Sequence, residues 1–122
     1  MTIIRKILIA EDELIVARVL KRVLELNHFE VRQVSNAEEA IRVASDSWPD
    51  LIILDIHLQD KGCGIMAGKK IREHKVESPI LFITGNSFEQ TKKEIEGISN
   101  TFLFIKPIDS DHLVKFIRTR LS

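Results

Sequence analysis

Short apolar runs alternate along this chain with segments whose apolar residues recur at helical spacing. The runs cover residues 6–10, 29–34, 51–54, 80–83 and 101–105, and most of them end at a polar or charged residue. The segments between them predict helices over residues 13–26, from 37 to a break at Trp48-Pro49, and over 65–74, 87–97 and 109–121. Asn36 can cap the second helix, with Glu39 completing a capping box. Such regular alternation with short connections predicts a doubly wound parallel β-sheet with helices on both faces.

The run from Leu51 to Leu54 is the centre of this pattern. It has no polar alternation, which is typical of a parallel strand that is buried on both faces. Asp55 ends the run, and an isolated charge would be costly inside the sheet. We therefore expect Asp55 at the carboxyl edge, where proteins of this class place their sites.

Four more polar residues follow strands in the same way. They are Glu11, Asp12, Thr84 and Lys106, and parallel strands bring them to the same edge as Asp55. Each has a simple structural explanation by itself: acids favour a helix N-terminus, threonine is common at strand ends, and lysine is commonly solvated. Together they form a specific set, and this favours a functional site.

The residue types at this edge indicate phosphoryl chemistry. Clustered carboxylates repel one another unless a cation lies between them, and Mg²⁺ prefers such oxygen ligands. Asp55 is then a carboxylate nucleophile that can accept a phosphoryl group. The ammonium group of Lys106 and the hydroxyl of Thr84 can bind phosphoryl oxygens.

Composition limits the alternatives. The chain has 122 residues, which we expect to form one domain over 1–122, and 18 basic residues balance 18 acidic ones. Without net charge, we expect neither direct nucleic acid binding nor membrane binding. The start of the chain does not resemble a signal peptide, and the single cysteine, Cys63, cannot form an internal disulfide, so we expect a cytoplasmic location.

Four motifs resemble those of the receiver domain of two-component response regulators. They are residues 7–13 (ILIAEDE), 49–55 (PDLIILD), 80–85 (ILFITG) and 105–108 (IKPI). The metal ligands that the resemblance implies are Glu11, Asp12, Asp55 and the backbone carbonyl of His57, holding Mg²⁺. The catalytic set that it implies is Asp55 as phosphoacceptor, Thr84 as switch hydroxyl and Lys106 as phosphoryl-binding lysine. His57 and Asn86 would flank the phosphoryl group and influence its lifetime.

The resemblance also implies a fold and partners. The fold is the flavodoxin-like five-stranded sheet of order 2-1-3-4-5, for which the family's chemotaxis member is a reference case. The implied partners are a sensor histidine kinase or phosphotransfer protein and a downstream protein that binds the face formed by the fourth helix, fifth strand and fifth helix. A phosphorylation-dependent homodimer is a further expectation. The domain would promote only its own phosphorylation and dephosphorylation, without separate enzymatic activity. The sequence includes no output domain, so we expect the domain either to act by protein contact or to belong to a longer chain.

Several positions depart from the family pattern. Gln59 stands where proline is frequent, Gly85 where alanine is common, and Leu103 where an aromatic switch residue is usual. Phe102 and Phe104 flank Leu103 but should point to the opposite face of the strand. We also expect a cis peptide bond at Lys106-Pro107, and we expect the helix over 87–97 to be the least firmly packed because it has few large apolar residues.

Three other functions share part of this pattern. A small Mg²⁺-dependent aspartyl-phosphate phosphatase would need a second acid, but His57 stands two residues after Asp55. A flavodoxin-type electron carrier would need a phosphate-binding first loop, which Glu11 and Asp12 disfavour. A pseudo-receiver that binds partners without phosphorylation is the main alternative, and the complete set of acids, threonine and lysine disfavours it.

Overall fold

Strands and helices alternate throughout the computed structural model, which describes residues 5–58, 63–85 and 87–121. The strands are β1 Lys6–Ala10, β2 Glu30–Val34, β3 Leu51–Asp55, β4 Ile80–Thr84 and β5 Thr101–Ile105. The helices are α1 Leu14–Leu26, α2 Ala37–Ser47, α3 Cys63–Glu73, α4 Phe88–Ile95 and α5 Ser110–Leu121. Among the described residues, no helix has the length and apolar character needed to cross a bilayer.

The five strands form one parallel sheet in the order β2-β1-β3-β4-β5. This confirms the predicted flavodoxin-like topology. Every residue of β3 and β4 is buried, as expected for strands covered on both faces, whereas the edge strands β2 and β5 are partly exposed. The register pairs Asp55 with Ile83 and Thr84 with Ile105, so the strands carry their last residues to one edge.

Two separate apolar layers cover the sheet. One layer joins α2, α3 and α4 to one face, and it includes Leu8, Ile52, Leu54 and Phe82 from the strands. The other joins α1 and α5 to the opposite face, and it includes Ile9, Ile53 and Leu81. The alternation of side chains along each strand produces this division. The continuous apolar runs are therefore needed because both faces must be filled.

Local signals place the ends of α2. Asn36 Oδ1 accepts a hydrogen bond from the Glu39 backbone N–H at 2.8 Å, which confirms the predicted cap. The Glu39 carboxylate accepts a hydrogen bond from the side-chain amide of Asn36 at 3.2 Å. At the other end, Trp48 adopts a left-handed conformation with φ 46°, and Pro49 follows it. The alanines of α2 are buried, and the helix contacts α3. These small side chains permit close packing between the two helices.

Two helices each have an end that differs by two residues from the prediction. Helix α3 begins at Cys63 rather than Ile65, and α4 ends at Ile95 rather than Gly97. The earlier start of α3 depends on Gly64, whose missing side chain lets the first turn lie against the backbone of Asp55. Helix α4 buries only Thr91 and Ile95, in agreement with its predicted weak packing.

Candidate functional site

The carboxyl edge of the sheet brings the predicted acids together. Glu11 and Asp12 follow β1, and Asp55 is the last residue of β3. Carboxylate oxygens of these three residues lie within 4.8 Å of one another. Two of the three, Glu11 and Asp55, are buried. Parallel neighbouring strands produce this cluster because β1 pairs directly with β3.

Lys106 reaches into this cluster from the end of β5. Its Nζ atom lies 3.0 Å from Asp55 Oδ2 and 3.0 Å from Glu11 Oε1. It also lies 2.8 Å from Glu13 Oε1, a contact that the sequence analysis did not predict. Burial by itself would lower the pKa of Lys106, but hydrogen bonds to Glu13, Asp55 and Glu11 outweigh it and raise that pKa. The lysine is therefore held as a cation.

The negative charge of Glu11 is electrostatically unfavourable in this site. Burial, together with the hydrogen bond and negative charge of Asp55, raises its pKa to about 8, although Lys106 opposes the shift. Glu11 Oε2 is buried without a hydrogen-bond partner among the described residues. An unpartnered buried oxygen in an all-oxygen cluster fits a hard divalent cation such as Mg²⁺.

The Asp55 side chain is fixed from two sides. Oδ2 accepts from Lys106, and Oδ1 accepts from the His57 backbone N–H at 2.9 Å. A Cβ on Gly64 would clash with the carbonyl oxygen of Asp55, so only glycine fits there without movement. The Gly64 N–H donates to the Ile56 carbonyl at 2.8 Å. The aspartate thus has little freedom.

Thr84 and Lys106 are neighbours through the backbone. Thr84 is buried at the end of β4, and its carbonyl oxygen accepts from the Lys106 N–H at 2.7 Å. The peptide bond between Lys106 and Pro107 is cis, which confirms that prediction. The structure therefore brings together Glu11, Asp12, Asp55, Thr84 and Lys106, as the strand order required.

The metal-binding and phosphoryl-binding roles of all these residues stay predictions, and so do the roles of His57 and Asn86. His57 is exposed and donates its backbone N–H to Asp55, and nothing tests the metal-binding role of its carbonyl oxygen. Asn86 lies outside the described residues, as does the loop from Gln59 to Gly62.

Strand β5 presents different side chains to its two faces, as predicted. Leu103 packs against the layer of α2, α3 and α4. Phe102 and Phe104 point the other way and contact the Phe116 ring of α5, with ring centroids 5.1 and 5.3 Å apart. The aliphatic Leu103 is thus a β5 side chain on the side of α4.

A flavodoxin-like sheet of this strand order is the CheY-like fold, and in this chain clustered acids, a threonine and a lysine lie at its carboxyl edge. Comparison with protein families agrees: residues 7–118 match the response regulator receiver domain. The chain belongs to the response regulator receiver domain family. Family membership confirms the resemblance seen in the four motifs, and it makes the chain a signalling domain of two-component systems.

Curated relatives and solved structures show the same relationship. The chain is 31% identical to the regulatory protein AtoC of Escherichia coli over 122 residues, or 26% of AtoC. It is 32% identical to the transcriptional regulatory protein SrrA of Staphylococcus aureus over 95% of this chain and 47% of SrrA. The chain therefore spans less than half of these relatives.

Two solved structures match the fold over nearly the whole chain. The signal receiver domain of a modulated diguanylate cyclase from Desulfovibrio desulfuricans superposes with a TM-score of 0.86 at 28% identity, covering 98% of this chain and 94% of that one. The chemotaxis protein CheY4 of Vibrio cholerae superposes with a TM-score of 0.88, covering 98% and 100%. Its identity of 23% shows the likeness of fold alone.

Proposed function

We propose that this domain accepts a phosphoryl group on Asp55 from a phosphohistidine of a sensor histidine kinase or phosphotransfer protein, with Mg²⁺ as cofactor. The observation that carries the proposal is the position of Asp55. Its carboxylate lies among acidic oxygens within 4.8 Å and 3.0 Å from the ammonium group of Lys106. A nucleophile, a cation-binding cluster and a fixed positive charge are the parts that phosphoryl transfer requires.

In the proposed step, one carboxylate oxygen of Asp55 attacks phosphorus and forms a P–O bond. The P–N bond of phosphohistidine breaks, and its electron pair returns to the imidazole nitrogen. Lys106 donates to a phosphoryl oxygen, and the Thr84 hydroxyl donates to another. Glu11, Asp12, Asp55 and the His57 carbonyl would hold Mg²⁺, which when bound neutralises charge on the phosphoryl oxygens.

A protein phosphodonor is supported by the surface beside the site. Ile15 and Val19 of α1 are exposed, and they line an apolar groove that continues to Lys106, Pro107 and Ile108. A groove that begins at the phosphoryl-binding lysine would place a docked protein close to Asp55. Exposed apolar surface of this kind is typical of a protein contact.

The proposed output is a change in the surface formed by α4, β5 and α5. Thr84 ends β4 only four residues before α4 begins at Phe88, so a movement of its hydroxyl toward the phosphoryl group is transmitted directly to that helix. The downstream partner would bind this face, and a second copy of the phosphorylated domain is another candidate for the same surface.

The test is phosphorylation of the full chain by a small phosphodonor with Mg²⁺, followed by mass spectrometry. We expect one added phosphoryl group in the wild type and none at a comparable rate in Asp55→Asn. Asp46→Asn is a matched control because this aspartate is exposed on α2, away from the site. An Asp55→Asn variant that gained the same acid-labile phosphate would contradict the assignment. A wild type that never gained phosphate would instead support a phosphorylation-independent binding module.

A further inference from the structure

We propose that Glu13 is a positioning residue that holds Lys106 in the unphosphorylated domain and releases it when a phosphoryl group reaches Asp55. The inference rests on the proposed function of Asp55. It gives a role to Glu13, the third acid of residues 11–13, to which the sequence motifs assign no function.

The ammonium group of Lys106 has a limited hydrogen-bonding capacity. An ammonium group has three N–H donors. Three carboxylate oxygens lie within 3.0 Å of Nζ, one each from Glu11, Glu13 and Asp55, and the contact to Glu13 is the shortest at 2.8 Å. Each donor is therefore committed before any phosphoryl group arrives. One contact has to break before Lys106 can bind a phosphoryl oxygen.

Exposure decides which contact breaks. The side chain of Glu11 is completely buried, and that of Asp55 is 2% exposed, whereas that of Glu13 is 62% exposed. A buried carboxylate that loses its partner carries a large desolvation penalty, but an exposed one is solvated by water. Exposed ion pairs are also weak. Glu13 is thus the partner that Lys106 exchanges most easily for a phosphoryl oxygen.

The side chain of Glu13 has no capping role that would confuse a test. Glu13 occupies the N-cap position of α1, but its side chain makes no capping hydrogen bond. Glu13 is bonded to the helix through its backbone carbonyl oxygen, which accepts a hydrogen bond from the Ala17 N–H at 2.9 Å. Replacing the side chain therefore removes the contact to Lys106 and leaves that backbone bond in place.

The experiment measures the initial rate of phosphorylation by a small anionic phosphodonor at saturating Mg²⁺. We expect Glu13→Ala to raise the rate by about two- to fivefold, the change that corresponds to losing an exposed ion pair. Glu25→Ala is the matched control, because Glu25 is an exposed glutamate on the same helix, near its far end. It reports the general effect of removing one negative charge from α1.

Two further measurements show whether Glu13 acts through the lysine. In a Lys106→Met background, adding Glu13→Ala should leave the rate unchanged. In selectively ¹⁵N-lysine-labelled protein without donor or Mg²⁺, Glu13→Ala should shift the side-chain ammonium resonance of Lys106, and Glu25→Ala should leave it in place. The second measurement does not depend on phosphorylation.

The outcomes separate this inference from the proposed function. If the wild type is phosphorylated on Asp55 but Glu13→Ala behaves like Glu25→Ala, the role of Glu13 is wrong and the function of Asp55 stands. A rate increase that persists in the Lys106→Met background also overturns the role of Glu13. If the wild type is not phosphorylated at all, the proposed function is wrong and this inference is overturned with it.

Discussion

Helices α3 and α4 follow adjacent strands of the same sheet, yet they are packed very differently. Helix α3 buries Gly64, Ile65, Ala67, Gly68 and Ile71, and two of these are glycines that allow close contact. Gly64 lies against the backbone of Asp55, and Gly68 against the Phe82 ring. Helix α4 buries only Thr91 and Ile95, and Phe88 in its first turn is 51% exposed. Strand β3, which ends at Asp55, thus lies against the firmly packed helix.

The two ends of α4 also differ. Its N-cap residue, Ser87, makes no side-chain capping bond. Beyond its other end, Arg72 of α3 donates to the carbonyls of Ser99 and Asn100 at 3.0 to 3.2 Å. Local opening is easiest where few apolar contacts are buried. We therefore expect the end of α4 nearest Thr84 to move more readily than its connection to β5, which is anchored on α3.

The largest expected effect comes from disturbing the firmly packed side. In Gly64→Ala, the new Cβ would meet the backbone of Asp55 and Ile56, which cannot rotate away. We expect the free energy of unfolding to fall by about 3 kcal/mol, and phosphorylation of Asp55 to slow as its backbone is displaced. Chemical denaturation measures the first effect and phosphoryl incorporation the second.

Gly97→Ala is the control for this substitution. A Cβ there has no atom within 4 Å, so its unfolding free energy should change by no more than about 0.5 kcal/mol. Equal losses in the two variants would mean that the close contact at Gly64 does not account for the difference between the two regions.

Loosening the anchor of α4 should have a smaller effect. Arg72 also donates to the Val76 carbonyl at 2.8 Å, so Arg72→Ala removes a charged donor from three carbonyl groups. We expect a loss of about 2 kcal/mol in unfolding free energy and faster amide exchange across residues 97–100. Lys70→Ala, which removes an exposed charge from the same helix, should change neither quantity. Faster exchange in both variants would count against an anchoring role for Arg72.

The smallest effect concerns the switch itself. With a phosphoryl mimic and Mg²⁺ bound, hydrogen exchange should change across residues 87–97 while residues 65–74 stay constant. The coupling should be on the order of 1 kcal/mol, at the low end of the usual range, because Leu103 is smaller than an aromatic ring and has no polar group to transmit the change. Changes confined to residues 65–74 would reverse the assignment of rigid and mobile sides.

The sheet and the site residues could both be predicted from the sequence, and for the same reason. Unbroken apolar runs predict buried parallel strands, and parallel strands deliver their last residues to one edge. The proximity of Asp55, Thr84 and Lys106 could therefore be predicted before any distance was known. The capping of α2 by Asn36 was equally accessible, because a cap depends on residues three apart in the chain. The ends of α3 at Cys63 and of α4 at Ile95 were harder to predict, since tertiary packing decides them.

By itself, the sequence determined the order of strands and helices, the edge of the sheet that carries the chemistry and the residues that meet there, because these follow from local periodicity and a general rule of topology. Tertiary structure alone decided which partners those residues have. The contact of Glu13 with Lys106 joins residues 93 positions apart, and that of Arg72 with Ser99 spans 27. Gly64 lies against the backbone of Asp55, and no repeating pattern in the sequence indicates that contact. Such contacts depend on how loops and helix ends pack in three dimensions, and no periodic signal along the chain encodes them.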